Sequence, residues 1–276
     1  MAGQRIIGKK RSESTAFAVI LFLSFLLIGV IALFFILIND AAAELTANVN
    51  HNHIKIDFFY HGSSVSVGGI SEPDTDLIIK ITSPEGHEVL KQKGKVAGLL
   101  WMNTGTLKFE NVPNLYSVHS TKKIDELLYQ EEMDKYAIGY PALEKHVEIS
   151  PVSKEEEKNR WFNEFVKLKE SSKLYMSSSG KITTTLKDGK QYYYILTDWP
   201  YQAPPGDYIV TVYAVKNRKI TEKTDAKVQV EQVGIVKTLS NMAKKKGALY
   251  GVISIVAALI AGFGVGLIFR KGGGAH

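Results

Sequence analysis

The sequence predicts a mainly β protein, an exported immunoglobulin-like β-sandwich with a helical insertion, carried by one or two transmembrane helices. Three observations predict it. Two uncharged apolar blocks of 23 residues, at 16–38 and 247–269, lie at the two ends of the 276-residue sequence. At about 1.5 Å rise per residue, each is long enough to cross a hydrocarbon core of roughly 30 Å. Between them run short alternating segments punctuated by Gly, Pro and Asn, the pattern of a sandwich. One interval, about 120–171, switches to helical spacing. A simple soluble cytosolic protein is excluded, and residues 39–246 are enough for one large or two small domains.

The net charge of +6 comes from 34 Lys and Arg against 28 Asp and Glu, and its location matters more than its size. Residues 1–13, with Arg5, Lys9, Lys10 and Arg11 against Glu13, carry +3, and Arg270 with Lys271 carries +2. Lys237, Lys244, Lys245 and Lys246 precede the second block, which leaves −3 for residues 14–236. The folded part is slightly acidic, so the basic balance belongs to membrane flanks and not to a nucleic-acid surface. Lys and Arg collect in short segments that stay cytoplasmic. That rule makes 1–15 and 270–276 cytoplasmic and the main domain external, and the absence of cysteine fits a bacterial periplasm, hence an inner membrane, better than a eukaryotic lumen. The lysines at 244–246 argue the other way, but they sit on a large domain that translocates with little regard for charge.

The first block has two readings. Ala41 and Ala43 before Glu44 fit signal-peptidase cleavage after Ala43, whereas an apolar core longer than the roughly 7–15 residues of a signal peptide favours a retained anchor. With no cysteine, disulfides, thiolate metal sites and cysteine nucleophiles are excluded together, and the core must carry the stability of an exported domain by itself.

The elements follow in order across 44–232. Residues 53–58 alternate, His61 to Ser64 have the composition of a turn, and Val65 to Val67 resume the alternation. Residues 76–82 form a further strand closed by Ser83-Pro84-Glu85-Gly86. Runs at 96–102 and 106–109 flank Asn103-Thr104-Gly105, read as a hairpin turn. From Ser120, the spacing of Ile124, Leu127 and Leu128 predicts a short helix to about Glu132. Ser153 with Glu156 resembles a capping box, opening a helix over about 154–171 whose apolar stripe is Trp161, Phe162, Phe165, Val166 and Leu168. Strands at 181–186 and 191–196 turn through Lys187-Asp188-Gly189. Pro204-Pro205-Gly206-Asp207 then feeds the strand 208–215, Asn217-Arg218-Lys219 turns it, and 220–230 closes what looks like the last hairpin of an immunoglobulin-like domain.

Residues 204–223, then Val230-Glu231-Gln232-Val233-Gly234, and the closing span with Leu249-Tyr250-Gly251 and Ile268-Phe269-Arg270-Lys271, resemble the C-terminal half of the Alph_Pro_TM family, transmembrane proteins first described from Alphaproteobacteria. Residues 58–69 occupy the place of that family's Phe-x-Gly pattern and later apolar-Gly. The resemblance covers most of 44–271. It implies a cell-envelope protein with a periplasmic sandwich and a C-terminal anchor, in a family with no assigned activity. Members often have sulfite-exporter-like permeases as neighbours, which makes such a permease a partner implied by the family. The length of the first block departs from a plain cleaved signal.

Candidate chemistry is sparse. His51 and His53, two apart on a strand, would share a face, and His61 follows across a hairpin, so the three are candidate metal ligands, read against solvated histidines at the start of a domain. Asp57, Asp74, Asp76, Glu131, Glu132 and Asp134 lack calcium-loop spacing and read as solvated surface. The serines 177–179 lack a nucleophile-elbow context, and no phosphate loop or nucleotide fingerprint occurs. No cofactor is expected. Tyr192 and Tyr194 share one strand face while Tyr193 takes the other. With Trp199 and Tyr201 they are interface candidates, or else core packing with a tyrosine at a sandwich corner.

The C-terminal segment says most about role. Ile235, Val236, Leu239, Met242 and Ala243 share a face opposite Lys237, Lys244 and Lys245, predicting a juxtamembrane amphipathic helix over 233–246. In the span 247–269, Ala258, Gly262 and Gly266 form a small-xxx-small ridge, and no residue is charged. The expectation is a non-enzymatic accessory or assembly subunit that docks through this helix on an integral membrane partner such as a transporter or respiratory complex. The alternative is a tethered periplasmic ligand- or metal-binding protein.

Overall fold

The computed structural model describes Leu27, Gly29 and residues 44–96 and 98–270. The first span expected at 16–38, the expected cleavage site and the two ends expected to be cytoplasmic therefore lie, those two positions and Arg270 aside, outside the described residues. From Leu45 onward the chain forms one unit.

Two stacked sheets hold the first core. The front sheet orders β1 (Asn48–Asn50), β3 (Ser63–Ser71), β11 (Lys190–Trp199) and β10 (Thr183–Lys187), all antiparallel. The central sheet orders β2 (His53–Ile56), β13 (Lys219–Gln232), β12 (Gly206–Lys216), β4 (Asp76–Thr82), β7 (Tyr116–Ser120) and β9 (Tyr175–Ser179). Its outermost pairs, β2 with β13 and β7 with β9, are parallel. Val65, Val67, Tyr193 and Ile195 from the front sheet meet Leu77, Ile79, Ile81, Tyr208, Val210 and Val212 from the central one. The helix-free alternation of these segments dictates this, because every second residue is apolar and points the same way.

A second core covers the other face of the central sheet. Ile78, Tyr116, Val118, Tyr213 and Val215 pack there against Phe162, Phe165 and Val166 of α4 (Glu155–Ser171). Between β7 and β9 the chain also forms α1 (Ile124–Leu127), α2 (Gln130–Tyr136), α3 (Tyr140–Glu144) and β8 (Glu148–Ser150). The single helix expected after Ser120 is thus broken in two, with Leu128 extended between its parts. The expected capping box is not formed. Lys154 is the N-cap of α4 with no side-chain cap bond, and Glu155, Glu156 and Glu157 supply the negative charge that favours a helix start instead.

The largest departure from expectation is β5 (Glu85–Val96) with β6 (Leu100–Pro113). These are not sandwich strands but a separate ribbon, to which β8 adds a short third strand at Lys108–Glu110. The turn lies at Gly98 (φ 74°), not at Asn103-Thr104-Gly105, which instead forms part of β6 opposite a register shift at Gln92/Lys93. The root of the ribbon is fixed: Tyr175 Oη donates to Pro113 O at 2.8 Å, Phe109 stacks on Phe165 with centroids 4.5 Å apart, and buried Lys169 pairs with Glu88.

The two late hairpins follow expectation closely. Asp188 with Gly189 and Asn217 with Arg218 all have positive φ, the requirement of two-residue turns whose twist matches the flanking strands. After β13 the chain enters α5 (Gly234–Lys245) and α6 (Gly247–Arg270). Residues Gly247–Leu267 of α6 form the one helix among the described residues that is long and apolar enough to cross a membrane.

A buried histidine crosses the edge of the central sheet. His119 is 1% exposed, with Nε2 2.8 Å from Ser117 Oγ and Nδ1 2.6 Å from Ser178 Oγ, linking β7 to β9. Burial, with a smaller contribution from the Lys181 charge, depresses its pKa to about 4. Below the ordinary pKa near 6.5 the unfolded chain therefore binds a proton that the folded chain refuses. Stability is retained above pH ~6.5 and falls as pH drops towards 4, by about 1.5 kcal/mol between pH 6.5 and 5. Urea titration of the full chain in detergent at the two pH values should show this loss, and His119→Gln should flatten the dependence whatever its cost at pH 7.

Candidate functional site

A cleft opens at the end of the sandwich where β13 hands the chain to α5. The registers place it there: β3 begins opposite the end of β11 (Ser63 with Trp199), β12 begins opposite the end of β13 (Gly206 with Val230), and α4 ends beside the start of β9. The cavity measures about 710 Å³, and its polar lining includes His61, Lys173, Asp198, Tyr201 and Gln202. Charges of both signs, an imidazole and an exposed phenol can bind a small polar ligand.

Beside the cleft a buried tyrosine bonds back to the turn that precedes its own strand. Tyr208, 1% exposed at the start of β12, donates its hydroxyl to Pro204 O at 2.5 Å, and burial raises its pKa to about 12. Trp199 packs edge-on against it with centroids 4.9 Å apart. Trp199 is 4% exposed and belongs to the core, so it does not stand with the surface aromatics as an interface residue. Its place at the last position of β11, on the inward side of the alternation, decides this. Tyr201, two residues on, is exposed at the cleft.

On β11 the alternation separates the three tyrosines. Tyr193 points inward and donates to Thr46 O at 2.5 Å. Tyr192 and Tyr194 point outward with Leu196, half-exposed, opposite Ile70, Gly68 and Ser66 of β3. The Tyr194 ring lies over Gly68, 3.6 Å from where a Cβ would stand. At neighbouring Gly69 a Cβ would lie 1.9 Å from Thr46 O, so only glycine lets the segment before β1 close on this sheet.

The three histidines are not gathered. His51 occupies a left-handed turn (φ 58°) between β1 and β2, which belong to different sheets, so it shares no strand face with His53. His53 Nε2 lies 2.9 Å from Glu231 Oε1 on β13, and His61 lines the cleft. Among the described residues no three His, Cys, Asp or Glu side chains come together as a metal site. Of the acidic residues, Asp76 bonds Thr121 and Lys122, and Asp134 bonds Gln130 and Lys145, which holds its carboxyl below the usual range.

Among the described residues nothing covers the ridge on α6. A Cβ at Gly262 or Gly266 would meet nothing within 4 Å, and the span is entirely unburied within the chain. α5 is likewise without buried residues; its last turn carries Lys244 and Lys245.

The family described as "Putative transmembrane protein (Alph_Pro_TM)" matches residues 44–271, from the first residue before the sandwich through α6. The chain belongs to this family. The match ends just beyond α6, so the Alph_Pro_TM unit comprises the sandwich, the ribbon, the helical layer and the apolar helix together. No curated protein and no solved structure matches the chain.

Missing from the sequence reading were the cleft and the ribbon. The cleft is assembled from residues far apart in the chain, and no local signal marks it. The ribbon had a signal in the acid-free run between Glu88 and Glu110.

Two outcomes follow. Equilibrium dialysis of the full chain against Cu²⁺ or Zn²⁺ should show no stoichiometric site that His53→Ala abolishes, since that imidazole is held by Glu231. Tyr208→Phe strands the Pro204 carbonyl and should cost about 1–2 kcal/mol, read as a lower thermal midpoint with the cleft intact.

Proposed function

We propose that this protein is a non-enzymatic, membrane-anchored accessory or assembly subunit. In this reading α6 docks on an integral membrane protein such as a transporter or respiratory complex, and an immunoglobulin-like sandwich stands on the periplasmic side of a bacterial inner membrane. A sulfite-exporter-like permease is the partner class the family resemblance suggests. The observation that carries the proposal is the ridge of Ala258, Gly262 and Gly266, which no described residue covers. Small residues spaced by four let another helix approach closely, and in lipid such packing is a main source of helix association. With no Asp, Glu, Lys, Arg or His in 247–267, the helix suits an anchor better than a conduit. The immunoglobulin-like assignment is supported by the front order β1-β3-β11-β10, the run β2-β13-β12-β4 behind it, and the bond from Tyr208 to Pro204. Tyr192, Tyr194 and Leu196 offer a second contact for the partner's exported region.

The cleft favours one other reading, a tethered binder of a small periplasmic ligand. Purification of the tagged native protein in mild detergent, followed by mass spectrometry of intact complexes, separates the two. A stoichiometric integral membrane partner is expected, and Gly262→Leu with Gly266→Leu should release it while leaving the domain's melting midpoint unchanged. A lone protein, or a partner retained by the double variant, overturns the docking role of α6.

A further inference from the structure

The distal half of the β5–β6 ribbon buries almost nothing, yet its tip is apolar. Leu99, Leu100, Trp101 and Met102 are 85%, 65%, 67% and 52% exposed. Four such side chains in sequence at a hairpin tip contribute nothing to the fold, and their exposure to water is a cost that folding alone does not explain. Their surroundings say what covers them. Lys91, Lys93 and Lys95 alternate along one exposed face of β5, and Lys108 follows on β6. No Asp or Glu occurs from Val89 to Phe109, so this stretch carries +4 within a domain that is otherwise acidic. Lys95 sits directly across from Trp101, its Nζ 5.5 Å from the ring centroid. From the tip inward come Leu99 and Leu100, then Trp101 level with Lys95, then Met102 opposite Gly94, then Lys93 and Lys91; aliphatic side chains outermost, an aromatic beside the first lysine and further lysines behind suit a membrane interface of acyl chains, headgroup boundary and phosphates.

The position agrees. β4 ends opposite the start of β12 (Thr82 with Ile209), and β12 starts opposite the end of β13, so the ribbon is rooted at the end of the central sheet from which α5 and α6 depart. Its root lies two strands from β13, roughly 10 Å across the sheet. Beyond Lys91 and Thr106 the ribbon extends about 20 Å, matching the roughly 18 Å that the twelve residues of α5 can span before α6 begins.

We propose that the tip of the β5–β6 ribbon is a second membrane contact, which inserts Leu99, Leu100, Trp101 and Met102 into the bilayer that holds α6 and sets Lys91, Lys93 and Lys95 against anionic lipid headgroups. The contact does not depend on α6 having a protein partner. The absence of cysteine allows a direct test. Leu100→Cys, an exposed position, carries a nitroxide label in the full chain reconstituted into vesicles of phosphatidylcholine with 30% phosphatidylglycerol, and relative accessibility to oxygen and to a water-soluble nickel chelate reports depth. Leu186→Cys, exposed on β10, is the control. The label at 100 should lie inside the bilayer and the label at 186 in water. Replacing Lys91, Lys93 and Lys95 with Gln should reduce the ratio of inserted to free tip about fivefold per lysine, as should pure phosphatidylcholine to a similar total extent. Circular dichroism and the thermal midpoint should be unchanged, because all the substituted residues are exposed. A label at 100 that stays aqueous overturns the proposal. So does insertion indifferent to lipid charge, and so does shielding that appears only when a co-purified protein partner is added, which would make the tip a protein contact.

Discussion

The double burial of the central sheet is the constraint on which the remaining architecture depends. In β4 the run Leu77-Ile78-Ile79 is apolar without interruption, so alternate residues must find cover on both sides. Leu77 and Ile79 find it in the front sheet, Ile78 in the helical layer. β12 repeats the demand with Val210 and Val212 on one face and Tyr213 and Val215 on the other. A two-sheet sandwich would leave one of these faces wet. The segment between β7 and β9 is therefore a structural layer as well as an insertion, and Phe162 and Phe165 of α4 are the lid of the second core.

How much of this was legible follows from the range of each signal. Local signals read well: β4, β12 and the Asp188-Gly189 and Asn217-Arg218 turns are written in neighbouring residues, and the anchor helix needs only composition. Tertiary choices did not read. Whether Trp199 faces core or solvent depends on the phase of β11 against β3, which β11 alone does not state. The β5–β6 pair looked like two more sandwich strands because its alternation is real. What withholds it from the sandwich is the lysine at every second place on β5, which leaves no apolar face to bury beyond Leu90. The histidines looked paired because strand spacing was assumed across residue 51, where the backbone in fact turns left-handed and changes sheet.

The features with functional bearing share one end of the domain. The cleft, the bond from Tyr208 to Pro204, the root of the ribbon and the start of α5 all sit where β13 finishes, while the turns at Asp74 and at Asn217-Arg218 occupy the opposite end. Buried polar groups elsewhere are structural: His119 is held by two serines, and Lys80, its pKa lowered to about 8 by burial, donates to Tyr136 O at 2.6 Å. Neither faces the cleft.

The strand that carries the anchor is clamped on both sides. β13 pairs along eleven positions with β12, and its last four residues pair in parallel with β2. Ladder hydrogen bonds lie across the strand direction. A pull on α6 against the body of the domain acts along β13 and loads these bonds together in shear, so they cannot break singly as in a peeled edge. The domain is thereby built as a force-bearing graft: tension on α6 is spread over the central sheet, and the short helix α5, which has no fully buried residue, is the element that yields first.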